Sequence, residues 1–159
     1  MLIILVIIFL FFLIINPCSV SYRTKSGRRY MARDLKTAEM IDTLRDISID
    51  LSYNINKKDG QLLRRRLQNT SFKELIDKDP NILAWNYDKG REIGIKIYNT
   101  KGVMYSHDEI ISSLLHELAH SLTYIRGHVD IWQEKDEYLQ SFAPKYVNIL
   151  ILKTSYSTK

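Results

Sequence analysis

Residues 106 to 128 read SHDEIISSLLHELAHSLTYIRGH, and this one stretch holds all four histidines of the chain. Ser106 followed three residues on by Glu109 has the pattern of a capping box, and Asp108 and Glu109 favour the dipole of a helix that begins there. Ile110, Ile111, Leu114, Leu115, Leu118 and Leu122 recur at three and four residues. That spacing predicts an amphipathic helix to about Tyr124, with Gly127 as its stop. On such a helix His116 and His120 lie one turn apart, offset by about 40°, so both imidazoles project from one face. Two neutral imidazoles so placed can ligate one zinc ion (Zn2+). Glu117 lies about 100° round from His116, off the centre of the pair yet within reach of a metal-bound water, which is the position of a general base.

Catalytic zinc takes three protein ligands and keeps a place for water. His128, directly after Gly127, can supply the third; the alternative is a carboxylate, Glu134 or Glu137, on the helical stretch from Val129 to Phe142. A structural zinc site usually closes with four ligands, generally including cysteine. Cys18 is the only cysteine and is remote from the histidines, so neither that site nor a disulfide framework is expected. Cys18 reads as an inert thiol, and His107, at the helix start, as a surface residue. Tyr124 and Tyr105 are both within reach of a role in steadying an oxyanion, and the sequence selects neither.

Outward from this stretch, Glu92 to Tyr98 alternates, with Ile93, Ile95 and Ile97 on one side, as a half-buried strand requires. Pro80 and Gly90 break a mixed region that has room for a short helical stretch around Phe72 to Ile76. Leu35, Ala38, Ile41, Leu44, Leu51 and Ile55 mark a helix from Asp34 to about Lys57, which Lys58-Asp59-Gly60 should stop. A second helix follows through Leu62, Leu63 and Leu67. Arg64, Arg65 and Arg66, adjacent on that helix, point in different directions and read as a solvated face.

The N-terminus has a different character. MLIILVIIFLFFLII, the first 15 residues, has no polar side chain, and as a helix would be about 22 Å long. With no lysine or arginine in residues 1 to 10 and a poor cleavage site after the run, it reads as a membrane anchor over residues 1 to 20 rather than a cleaved signal. The basic residues Arg23, Lys25, Arg28, Arg29 and Arg33 then form a juxtamembrane linker over residues 21 to 33. They account for the whole formal charge of +5, so residues 34 to 159 are neutral. Basic flanks stay on the cytoplasmic side, which predicts a single-pass membrane protein, in a host or virion membrane, with its domain on the cytoplasmic or internal side. A neutral domain lacks the electrostatic footprint of a nucleic-acid binder. Polar residues flanking the histidines, among them Asp108 and Ser112, also exclude an intramembrane protease.

At these residues the chain resembles the WLM and SprT-like zinc metallopeptidases, and most of all the short WLM-like proteins of large DNA viruses. Leu115-His116-Glu117-Leu118-Ala119-His120, then Gly127-His128, then Trp132 carry the resemblance, which extends upstream to Tyr87-Asp88-Lys89-Gly90-Arg91-Glu92-Ile93. It implies that His116, His120 and His128 bind zinc, that Glu117 activates water, and that Trp132 packs behind the third ligand. It also implies a protein or peptide substrate lying along residues 93 to 98 as an edge strand. The expected architecture is an α+β, zincin-like domain over residues 34 to 159, its active-site helix packed on a small sheet and preceded by the transmembrane helix. The expected activity is peptide-bond hydrolysis. The alternative is an inactive membrane protein that keeps the fold as a binding or structural component of a virion.

Overall fold

The computed structural model of the chain describes residues 20–124 and 128–156. The apolar repeat after Asp34 forms α1 (Leu35–Asn54), capped by the Asp34 carboxylate, which accepts from the Thr37 N–H at 2.7 Å. Ala38, Ile41, Leu44, Ile47 and Leu51 are buried along one face. Asn56 caps the next helix, α2 (Lys57–Leu67), accepting from the Asp59 N–H at 3.0 Å. Lys58-Asp59-Gly60, expected to act as a stop, is therefore the first turn of α2. Gly60 belongs there because α2 starts hard against α1: a Cβ at this position would run into the Ser52 carbonyl oxygen.

Two strands, β1 (Val20–Arg23) and β2 (Arg29–Ala32), form an antiparallel hairpin packed on α1. Most of the expected basic linker is thus folded structure. Two of its five cations are engaged by the domain's own acids: Arg28 reaches Asp42 at 2.5 Å and Asp46 at 2.7 Å, and Arg33 reaches Glu74 at 2.6 Å. The second sheet contains β3 (Ser71–Glu74), β4 (Ala84–Tyr87) and β5 (Glu92–Ile95) in the order β3-β5-β4. β3 runs parallel to β5, and β4 runs antiparallel to it. Residues 72 to 74, expected in a helical stretch, are instead a strand, because Phe72 and Glu74 turn inward from β3 while Ser71 faces out.

Three more helices follow among the described residues: α3 (His107–Leu122), α4 (Asp130–Gln140) and α5 (Ala143–Tyr156). α3 packs against all four other helices and against β4 and β5. Its Ile110, Ile111, Leu114, Leu115 and Leu118 join Ile41, Leu44, Leu63, Ile93 and Ile95 in one core. α5, which the sequence reading left unmarked, adds Tyr146, Val147 and Leu150. The architecture is α+β.

The transmembrane helix expected over residues 1 to 20 is not supported by the structure. Residues 1 to 19 lie outside the described residues, Cys18 among them, and Val20 opens β1. No described helix is long and apolar enough to cross a membrane. α1 has the length but carries Lys36, Glu39, Asp42, Arg45, Asp46 and Asp50, and α5 has only 14 residues. Placement as a single-pass membrane protein, with the domain on the cytoplasmic or internal side, is therefore unsupported.

Gly60→Ala should destabilise the fold by about 1–3 kcal/mol in urea unfolding, since a backbone carbonyl cannot move aside as a side chain would. Burial pushes the Asp42 carboxyl up, but hydrogen bonds from Ser26, Tyr30, Arg28 and Thr24 outweigh it and hold the pKa below the usual value. A carboxylate lowered on folding stabilises above its unfolded pKa, and that contribution is lost as pH falls through the folded pKa. Asp42→Asn should therefore cost about 1–3 kcal/mol at about pH 7 and show a shallower loss of stability towards about pH 3 than the parent.

Candidate metal centre

The capping box of α3 is formed: the Glu109 N–H donates to Ser106 Oγ at 3.2 Å and the Ser106 N–H to Glu109 Oε2 at 2.9 Å. The helix ends at Leu122, short of Tyr124, because Thr123 takes an extended φ of −116° and its hydroxyl donates back to the His120 carbonyl at 3.4 Å. Gly127, the expected stop, lies outside the described residues.

His116 and His120 project together from α3, and His128 comes to meet them from the segment before α4. Ring centroids are 5.2 Å apart for His116 and His120, 5.3 Å for His116 and His128, and 5.0 Å for His120 and His128. One nitrogen of each ring lies within 4.8 Å of the other two, so the trio could hold a metal ion. Burial, with His116 and His128 nearby, pushes the His120 pKa down to about 4. Burial also lowers His116, partly offset by Asp136. Both are therefore neutral near pH 7, the state a metal ligand needs. Among the described residues these three imidazoles are the one such group of donors, a set that fits zinc with a coordination place left for water.

Trp132, only 6% exposed, backs the cluster. Its indole lies 4.7, 4.9 and 4.3 Å from the rings of His116, His120 and His128. Its ring nitrogen is buried and has no hydrogen-bond partner among the described residues. Glu134 and Glu137, the alternative third ligands, are not in the cluster, and Glu137 instead accepts from Gln133 at 3.0 Å. The carboxylate that does face the histidines is Asp136, whose Oδ2 stands 3.7 Å from His116 Nδ1. Sequence reading missed it. One helical turn after Trp132, it shares the face of α4 that meets α3, and that spacing was the available signal.

The histidines and Glu117 open on a cavity of about 740 Å3 that β4 walls from Ala84 to Tyr87. Glu117 is 6% exposed, and burial, with Asp136 adding its charge, pushes its carboxyl up to about 7. The strand along the cleft is thus β4, and not residues 93 to 98 as expected. Ile93, Ile95 and Ile97 are fully buried, Gly94 lies under the Trp85 indole, and Lys96 is buried with its Nζ on the Asp79 carbonyl at 2.6 Å. A strand so enclosed is central, whereas β4 has a ladder partner on one side alone among the described strands.

Asn86, also missed, ties β4 to α3: its Nδ2 donates to the Glu117 carbonyl at 2.6 Å and to Ser121 Oγ at 2.7 Å, and its Oδ1 accepts from the Gly90 N–H at 2.6 Å. The turn after β4 carries three positive φ values in succession, 48° at Asp88, 56° at Lys89 and 99° at Gly90. A Cβ at Gly90 would meet Ser121 Oγ at 2.7 Å. Tyr124 and Tyr105 do not line the cleft; Tyr87 does. His107 is remote from it, paired with Thr154 at 3.1 Å.

Carboxylates behind a ligating histidine fix its ring and tune its basicity. Asp136→Asn should weaken zinc binding by about tenfold to a hundredfold in a chelator competition, while Glu134→Gln and Glu137→Gln leave it unchanged. Loss of metal on Glu134→Gln would reassign the third ligand.

No protein-family model matches the sequence, and no curated protein matches it. Two solved structures are similar. One is a crystal structure of a Wss1 mutant from Saccharomyces cerevisiae, at 17% identity and a TM-score of 0.43, covering 55% of this chain and 80% of that one. The other is a crystal structure of Wss1 from the same yeast, at 15% identity and a TM-score of 0.47, covering 68% of this chain and 73% of that one. At these values the likeness assigns neither family nor activity to this chain.

Proposed function

We propose that the chain is a zinc-dependent peptidase in which His116, His120 and His128 hold the metal and Glu117 is the general base. The observation that carries this is a single cavity shared by three mutually facing imidazoles and a nearly buried carboxylate. The WLM-like pattern of Gly127-His128 and Trp132 supports the same reading, since the indole packs on all three rings.

Zinc at such a site polarises a scissile carbonyl and lowers the pKa of water. Glu117, nearly buried and facing the same cavity as the histidines, would take a proton from the attacking water and pass it to the departing amine, returning to its starting state. Asp136 orients His116 from behind. The open edge of β4 offers backbone N–H and C=O groups to an extended peptide, which gives the substrate a register without reading its side chains.

Glu117→Gln keeps the size of the side chain and removes its basicity. It should retain zinc by elemental analysis and lose peptide turnover by about a hundredfold or more. Undiminished turnover would remove Glu117 from its role, and a zinc-loaded parent that cleaves no peptide would remove the peptidase reading itself.

A further inference from the structure

Arg64, Arg65 and Arg66 do not form one solvated face. Arg64 turns back onto α1, donating to the Ser52 carbonyl at 2.5 Å and covering the Tyr53 ring. Arg65 and Arg66 turn the other way, into a second cavity of about 350 Å3 that they line with Lys89 and Arg91. Asp88 is its one acid, and its contact with Arg91, 3.9 Å between side chains 73% and 63% exposed, neutralises little. Asp88 and Lys89 also line the cleft of the histidines, so the two cavities adjoin at the strained turn after β4.

This basic pocket is built rather than incidental. Arg66 Nη1 donates to the Lys89 carbonyl at 3.0 Å, Thr70 Oγ1 to the Gly90 carbonyl at 2.5 Å, and Asn86 accepts from the Gly90 N–H. These contacts hold two non-glycine residues at positive φ, a conformation that costs about 1–3 kcal/mol each and persists only where the surroundings impose it. The Arg66 guanidinium is fixed further over the Tyr124 ring, at 5.2 Å. Its remaining N–H groups, with exposed Arg65 and Arg91, suit a carboxylate.

We infer that Arg65, Arg66, Lys89 and Arg91 form a subsite for an acidic side chain of the peptide substrate. This rests on the peptidase reading above. A peptide paired antiparallel to β4, the commoner arrangement, meets the Tyr87 end of the strand with its N-terminal part, so the acidic residue lies N-terminal to the scissile bond. A nucleic-acid backbone is the less suitable occupant: a row of phosphates is matched by cations spread along a surface, and this pocket gathers its four at one place.

The test uses the zinc-loaded full chain, its Glu117→Gln variant, and the double reversal Arg65→Glu with Arg91→Glu in each background. Two fluorescein-labelled peptides differ only in carrying glutamate or glutamine N-terminal to the cleaved bond. The glutamate peptide should be cleaved with a kcat/KM higher by about tenfold, and the double reversal should abolish that preference while zinc content and unfolding midpoint stay at the parent values. Anisotropy with the Glu117→Gln chain should show the same preference in binding, declining with salt. Equal treatment of the two peptides, preference for glutamate only on the C-terminal side, or tighter binding of a single-stranded oligonucleotide would each overturn the subsite. Preferential binding without any turnover would instead overturn the peptidase reading and leave the subsite standing.

Discussion

Three imidazoles can share one ion only if the chain reverses direction between His120 and His128, and the packing of Trp132 is what secures that return. Helix geometry sets the first two rings without help: four residues apart on α3, they face one way. The third must be brought from outside the helix. Trp132, in the first turn of α4, touches all three rings and is almost wholly removed from water. Burying an indole contributes a few kcal/mol, enough to anchor α4 against α3 and with it His128, two residues before α4. Asp136, one turn further, then falls behind His116.

The opposite wall of the cleft depends on Asn86. Its amide bonds a carbonyl and a hydroxyl of α3 and a backbone N–H of the turn. The strand edge, the helix that carries Glu117 and the strained turn are therefore one assembly, in which none can shift without breaking a short hydrogen bond. Gly90 is what lets the turn approach Ser121 so closely. Glu117 is held on this assembly in surroundings dry enough to raise its carboxyl to about 7.

Much of the centre was legible because it is local. The capping box, the apolar face of α3 and the spacing of His116 and His120 all belong to one helix and its cap, and short-range geometry fixes them. What was misread depends on contacts distant in sequence. Ile93, Ile95 and Ile97 alternate as in a half-buried strand, yet β5 is enclosed on both sides, since β3 and β4 add to either edge and Trp85 covers Gly94. Lys58-Asp59-Gly60 resembles a stop, but Asn56 starts a new helix just before it. The basic run around Arg28 and Arg33 read as juxtamembrane because its partners, Asp42, Asp46 and Glu74, are separated from it along the chain. Glu134, Asp136 and Glu137 lie one or two residues apart on α4 and therefore face different ways, and only Asp136 meets α3.

The chain has two tryptophans, and both border the cleft: Trp132 behind the histidines and Trp85 in the β4 wall. Indole emission responds to the polarity and charge of whatever lies against the ring. Trp132 is stacked on His120 at an interplanar angle of 26°, so a cation held by the imidazoles would sit within a few ångströms of a fluorophore. The protein thereby carries its own optical gauge of the site, readable without label or substrate, with the two walls reporting through one spectrum.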